Sequence, residues 1–132
     1  MRSKASSMSL RDYLDFFHSA ISKIEHFGFS ESIDIKVEIR PSKQAACKAR
    51  IVLVDGSVFQ IREYIDATYK TEKVNYGYHY QDKDGKLLFR YDNALHRPAL
   101  GFIDHKHLSD GTVIESAEPD IADVIDEVIS HI

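Results

Sequence analysis

The sequence predicts an α+β fold: an antiparallel meander sheet of about six or seven strands with an N-terminal and a C-terminal helix. Three observations carry this. Apolar residues recur at three- and four-residue steps at both ends of the chain. Between the ends they alternate at period two, and three Asp-Gly pairs, at 55–56, 84–85 and 110–111, break that alternation into hairpins.

The first helix spans 10–27, with Leu10, Tyr13, Leu14, Phe17, Ile21, Ile24 and Phe27 on one face. Ser9 is its cap, Asp12 sits three residues on, and Gly28 ends it. Ile33, Ile35, Val37 and Ile39 then alternate with Asp34, Lys36, Glu38 and Arg40, a half-buried strand stopped by Pro41. In the next hairpin the apolar residues of both arms are odd-numbered, so the loop must have an odd number of residues. A three-residue loop Val54-Asp55-Gly56 meets this condition and pairs Ile51 with Phe59.

The second hairpin needs the opposite parity, because Tyr76, Tyr78 and Tyr80 are even and Leu87, Phe89 and Tyr91 are odd. A two-residue Asp84-Gly85 turn fits, pairing Tyr80 with Phe89 and Tyr78 with Tyr91 as an aromatic ladder. On the opposite face it sets His79 against Arg90 and Gly77 against Asp92. The loop Ser109-Asp110-Gly111 repeats the chemistry of the first hairpin, setting His105 against Glu115 and Lys106 against Ile114. A closing helix spans about 119–131, with Pro119 at its first position and Ile121, Val124, Ile125, Val128, Ile129 and Ile132 as its apolar stripe.

A chain of 132 residues, 43% hydrophobic and 29% charged, is expected to form one domain over 1–132. The single Cys47 excludes a disulfide framework, Cys-based zinc fingers and iron–sulfur clusters, and reads as a small core residue. No apolar run reaches membrane-spanning length, and MRSKASSMS is not followed by a signal-peptide core, so a cytoplasmic protein with no membrane partner is expected. Seven of the 21 acids, and none of the 17 Lys and Arg, fall in 109–132. The chain before them is weakly basic and able to accept a polyanion.

Three polar features could carry chemistry: Arg90 to Pro98, the run Asp104-His105-Lys106-His107, and His79 facing Arg90. They place four of the seven His near adjacent strand ends with two Arg, a Lys and two Asp. Imidazole transfers protons near neutral pH, and Arg or Lys stabilises the charge of a phosphoryl transition state. The set therefore suits cleavage of RNA through its 2′-hydroxyl without a cofactor. His105 and His107 are the acid–base candidates. Arg90 and Lys106 are the phosphate contacts, Lys106 the weaker because its register turns it to the other face. Asp92 would orient an imidazole, and His96 would act from the loop. A metal site remains open, with His105 and His107 joined by Asp92, His79 or His96. So does a non-catalytic interaction module.

Arg90-Tyr91-Asp92-Asn93-Ala94-Leu95-His96 followed by Asp104-His105-Lys106-His107 resembles the signature of the TumE family of toxin–antitoxin proteins, R-Y-D-N-A-x-H-H and then H-H-K-H. The tyrosine-rich strand, the Asp-Gly turn and Leu87-Leu88-Phe89-Arg90-Tyr91-Asp92 extend the likeness over roughly 45–116. Arg97 and Asp104 stand where the family commonly has His. The resemblance implies a small cytosolic toxin held by a cognate antitoxin, and the His/Arg cluster makes an endoribonuclease the expected activity. RNA and a second copy of the chain are further candidate partners. An edge strand such as 33–40 offers the antitoxin a docking edge.

Overall fold

The computed structural model describes residues 7–95 and 100–132. In chain order the elements are α1 (Leu10–His26), β1 (Ser30–Arg40), β2 (Gln44–Leu53), β3 (Val58–Asp66), β4 (Glu72–Gln81), β5 (Leu87–Asp92), β6 (His105–Leu108), β7 (Val113–Glu115) and α2 (Ile121–Ser130). The strands form one seven-stranded sheet in the order β1 to β7, every neighbouring pair antiparallel. This is the α+β meander that the alternating pattern predicts.

Both helices lie on one face of the sheet. The Ser9 hydroxyl accepts from the Asp12 amide at the start of α1, and Phe17, Ile21 and Ile24 on its inner face are fully buried. Burying an aliphatic or aromatic side chain of this kind contributes about 1.5–3 kcal/mol. Beneath the helices lie Ala45, Cys47, Ile51 and Leu53 of β2, Phe59 and Ile65 of β3, Tyr76, Tyr78 and Tyr80 of β4, and Phe89 of β5. Ile33, Ile35 and Val37 of the edge strand β1 are partly covered. The helix α2 begins two residues later than its Pro119 suggests. Asp120 is its cap, accepting from the Asp123 amide, and the Pro119 carbonyl instead accepts from Lys73.

The hairpin registers follow the parity argument. Ile51 faces Phe59, Tyr80 faces Phe89, and His105 faces Glu115. The first and third turns share their chemistry, since Asp55 accepts from the Ser57 amide and Asp110 from the Thr112 amide. The second turn departs from the two-residue expectation. Asp82 pairs with Lys86 around a three-residue loop, with Gly85 at φ 85° and the Asp82 carboxylate accepting from the Asp84 and Lys86 amides. The register then shifts by one between Tyr80 and Gln81, a bulge at Leu88 that restores the parity the aromatic ladder requires.

Candidate functional site

Since the helices cover one face, every second residue of the strands is left on an open face. Antiparallel pairing aligns these residues into rows running across the strands. One row reads Asp34, Arg50, Gln60, His79, Arg90, His107. The next reads Lys36, Lys48, Arg62, Gly77, Asp92, His105, Glu115. Arg90 thus lies between two imidazoles, and Asp92 lies beside it near the end of β5.

Asp92 is the hub. Its side chain is only 4% exposed and accepts from Arg90 Nε at 2.8 Å, His105 Nε2 at 2.7 Å and the Ala94 amide at 3.0 Å, with His107 Nε2 at 3.3 Å. Burial alone would raise the Asp92 carboxyl. The Arg90 hydrogen bond, the Ala94 amide and the neighbouring His105 and Arg90 charges outweigh it and hold the carboxyl below its ordinary value. His105 is fully buried, with Nδ1 2.6 Å from the Ile103 carbonyl and its ring against Phe102 and His107. Both of its ring nitrogens therefore face acceptors. The imidazole is a brace between the loop backbone and the hub.

Two imidazoles remain within reach of solvent beside Arg90. The His107 side chain is 23% exposed. His79 lines a hollow of about 620 Å³ on the open face, and its Nδ1 is 3.5 Å from Arg90 Nη1. Burial and the adjacent Arg90 charge lower the His79 pKa. Gly77 makes room for this arrangement: a Cβ there would lie 2.7 Å from Arg90 Nη2 and 3.5 Å from Arg62 Nη2.

The candidates therefore divide. Arg90, Asp92, His105 and His107 are brought together. Lys106 is on the helix side, bonded to Glu127 at 2.8 Å and set over the Tyr91 and Phe89 rings. A phosphate-contact role does not fit that position. His96 and Arg97 lie outside the described residues. Asp104 accepts from the Tyr76 hydroxyl at 2.7 Å. One ligand atom from each of Asp92, His105 and His107 lies within 4.8 Å of the others, close enough to share a divalent cation. The His105 Nδ1 contact to a carbonyl is the kind that orients a metal-bound imidazole. Against a cation stands the Arg90 guanidinium, already on the carboxylate that would bind it.

Sequence reasoning missed two groups. Lys36, Lys48, Arg50 and Arg62 converge on the hollow beside His79. Their signal was present as cations at the polar positions of three alternating strands, but only strand order joins them. The other group is in the core. Glu63, 1% exposed, accepts from the Tyr13 hydroxyl at 2.5 Å and from the Tyr78 hydroxyl, while Lys73 donates to Tyr78 at 2.6 Å. An acid at an inward position between Ile61 and Ile65 was its visible sign.

Residues 19–132 match the model of the family described as Toxin TumE. The match extends well beyond the stretch that carries the motifs, taking in the C-terminal part of α1, the edge strand and α2. Searches of curated proteins and of solved structures found no match. With the signature arginine and aspartate meeting two histidines of the second motif at one hub, and the match covering most of the chain, the chain belongs to the TumE toxin family, the toxin component of a toxin–antitoxin system with an antitoxin as its partner.

Proposed function

We propose that this toxin is an endoribonuclease acting through the 2′-hydroxyl of its substrate. The observation that supports it most is the row His79, Arg90, His107, with a guanidinium flanked by two imidazoles on the open face and Asp92 anchoring the arginine from behind. In this reading neutral His79 takes the proton from the 2′-oxygen as that oxygen attacks phosphorus. His107 gives a proton to the departing 5′-oxygen as the P–O5′ bond breaks. A 2′,3′-cyclic phosphate and a 5′-hydroxyl result, with no oxidant or cofactor required. Arg90 stabilises the charge that gathers on the phosphoryl oxygens. Asp92 and His105 act as positioning residues, because both are buried and neither can reach substrate.

The test is cleavage of RNA by the purified full chain, together with growth inhibition in cells. His107→Ala should abolish both, and His79→Ala should reduce cleavage by about 10²–10⁴-fold, the ordinary worth of a general acid or base. Retention of both activities by His107→Ala refutes the assignment. Loss of partner binding in a His79, His105 and His107 alanine scan, with no cleavage by the wild-type chain, would favour a non-catalytic interaction module instead. Chelator sensitivity restored by added divalent cation would favour the metal-dependent hydrolysis that Asp92, His105 and His107 could support.

A further inference from the structure

Four cations besides Arg90 line the hollow next to His79: Lys36 of β1, Lys48 and Arg50 of β2, and Arg62 of β3. Asp34 is the single acid among its lining residues. Among the described residues no ion pair involves Lys36, Lys48, Arg50 or Arg62. Cations left unneutralised on a concave polar surface concentrate anions there. The net charge of −4 conceals this, because seven acids are gathered in 109–132.

The hollow is also shaped for something longer than one anion. It runs from β1 to β5, four strand spacings of about 4.8 Å, or roughly 19 Å. That exceeds a single phosphate and matches a stretch of several nucleotides. The aromatic ladder of Tyr76, Tyr78 and Tyr80 is buried on the opposite face. Among the described residues the Tyr64 ring shares the open face, but it lies beyond the two rows, under Arg40 and bonded to Gln44. No Tyr or Phe is among the described residues that line the hollow, His79 being the one ring there, so recognition falls mainly to the backbone.

We propose that the hollow across β1 to β5 is a binding track for the phosphodiester backbone of single-stranded RNA, which it leads toward Arg90 without reading sequence. The identity of the occupant rests on the ribonuclease reading above. An acidic protein segment is the rival, and the experiment must separate the two.

The probe is a fluorescein-labelled oligouridylate carrying 2′-O-methyl groups, which cannot be cleaved through the 2′-oxygen. Its binding to the full chain is followed by anisotropy as salt is varied. Four phosphate contacts on a single strand give a log–log salt slope of about −3, or roughly a 50-fold loss of affinity between about 50 and 200 mM salt. Lys36→Ala/Lys48→Ala/Arg62→Ala should shrink that slope by about two, leaving roughly a threefold loss over the same range. All three side chains are solvent-facing, and a circular dichroism melt checks that the variant folds.

An unchanged slope and affinity in the triple variant overturns the track, as does a wild-type chain that fails to bind the probe. Polyglutamate of matched charge binding as tightly as the oligonucleotide overturns it in favour of an acidic protein segment. A wild-type chain that binds the probe through these cations yet cleaves no RNA supports the track and removes the reaction proposed beside it.

Discussion

Replacing Asp92 by asparagine keeps the side chain's shape and removes its charge. Oδ1 accepts from His105 and Ala94, and Oδ2 accepts from Arg90, with His107 close by. Asparagine offers one oxygen for these partners. Its amide group then meets the N–H groups of either Arg90 or His105, donor against donor. A hydrogen bond to a charged group contributes about 1.5–3 kcal/mol, and a buried donor left without an acceptor costs about 1–3 kcal/mol. The Arg90 side chain is 29% exposed and partly solvated, which lowers its share. A loss of about 2–4 kcal/mol is the result. In a chain of 132 residues that lowers the melting temperature by roughly 8–15 °C.

Urea unfolding at neutral pH, followed by circular dichroism, reads the loss directly if the slope with denaturant stays unchanged. A double-mutant cycle with Arg90→Ala should show coupling of about 1 kcal/mol or more, since the two side chains are bonded at 2.8 Å. Asp92→Asn within about 0.5 kcal/mol of wild type, the range of an ordinary surface substitution, would refute the hub. Arg90 and His107 would then be held by something other than this carboxylate.

Three further outcomes are expected. Glu63→Ala strands the hydroxyls of Tyr13 and Tyr78 in the core and should cost about 3–5 kcal/mol by urea unfolding; a loss under about 1 kcal/mol would show that the hydroxyls find other partners. The Cys47 thiol, fully buried and pushed up to about 12 by burial and by Glu63, should resist a thiol reagent in the native chain at about pH 8 and react on unfolding; rapid native labelling would contradict that packing. Stability should also fall in alkali, because burial raises Tyr13, Tyr76 and Tyr78 as well as Cys47. The folded chain then holds protons that the unfolded chain loses, so their contribution is whole below the unfolded values and is lost as pH rises. The loss begins near pH 9 and reaches up to about 1.4 kcal/mol per group per pH unit. Urea midpoints unchanged between about pH 8 and 11 would refute it.

The periodicities of 3.6 and 2 report which side of an element meets the core, and they were enough for both helices, the meander and the hairpin registers. Residue parity alone is enough to set His79 opposite Arg90. Parity counts residues only modulo two, however. It could not distinguish a two-residue turn at Asp84-Gly85 from a three-residue loop followed by a bulge at Leu88. The Asp82 carboxylate, closing the longer loop through two amides, selects between them.

The site shows the same boundary. The family signature located the arginine, aspartate and histidines, because chemistry of that kind leaves a local trace in sequence. Burial then divided their roles: His105 lies sealed against Ile103 and Phe102, His107 reaches solvent, and Lys106 is turned to the helices. Local order predicted that Lys106 would point away from its neighbours, but not that Glu127, 21 residues later, would receive it. Lys36, Lys48, Arg50 and Arg62 become one surface only once three strands lie side by side. Period-two alternation tells each residue which face it occupies, and only strand order tells it who its neighbours are.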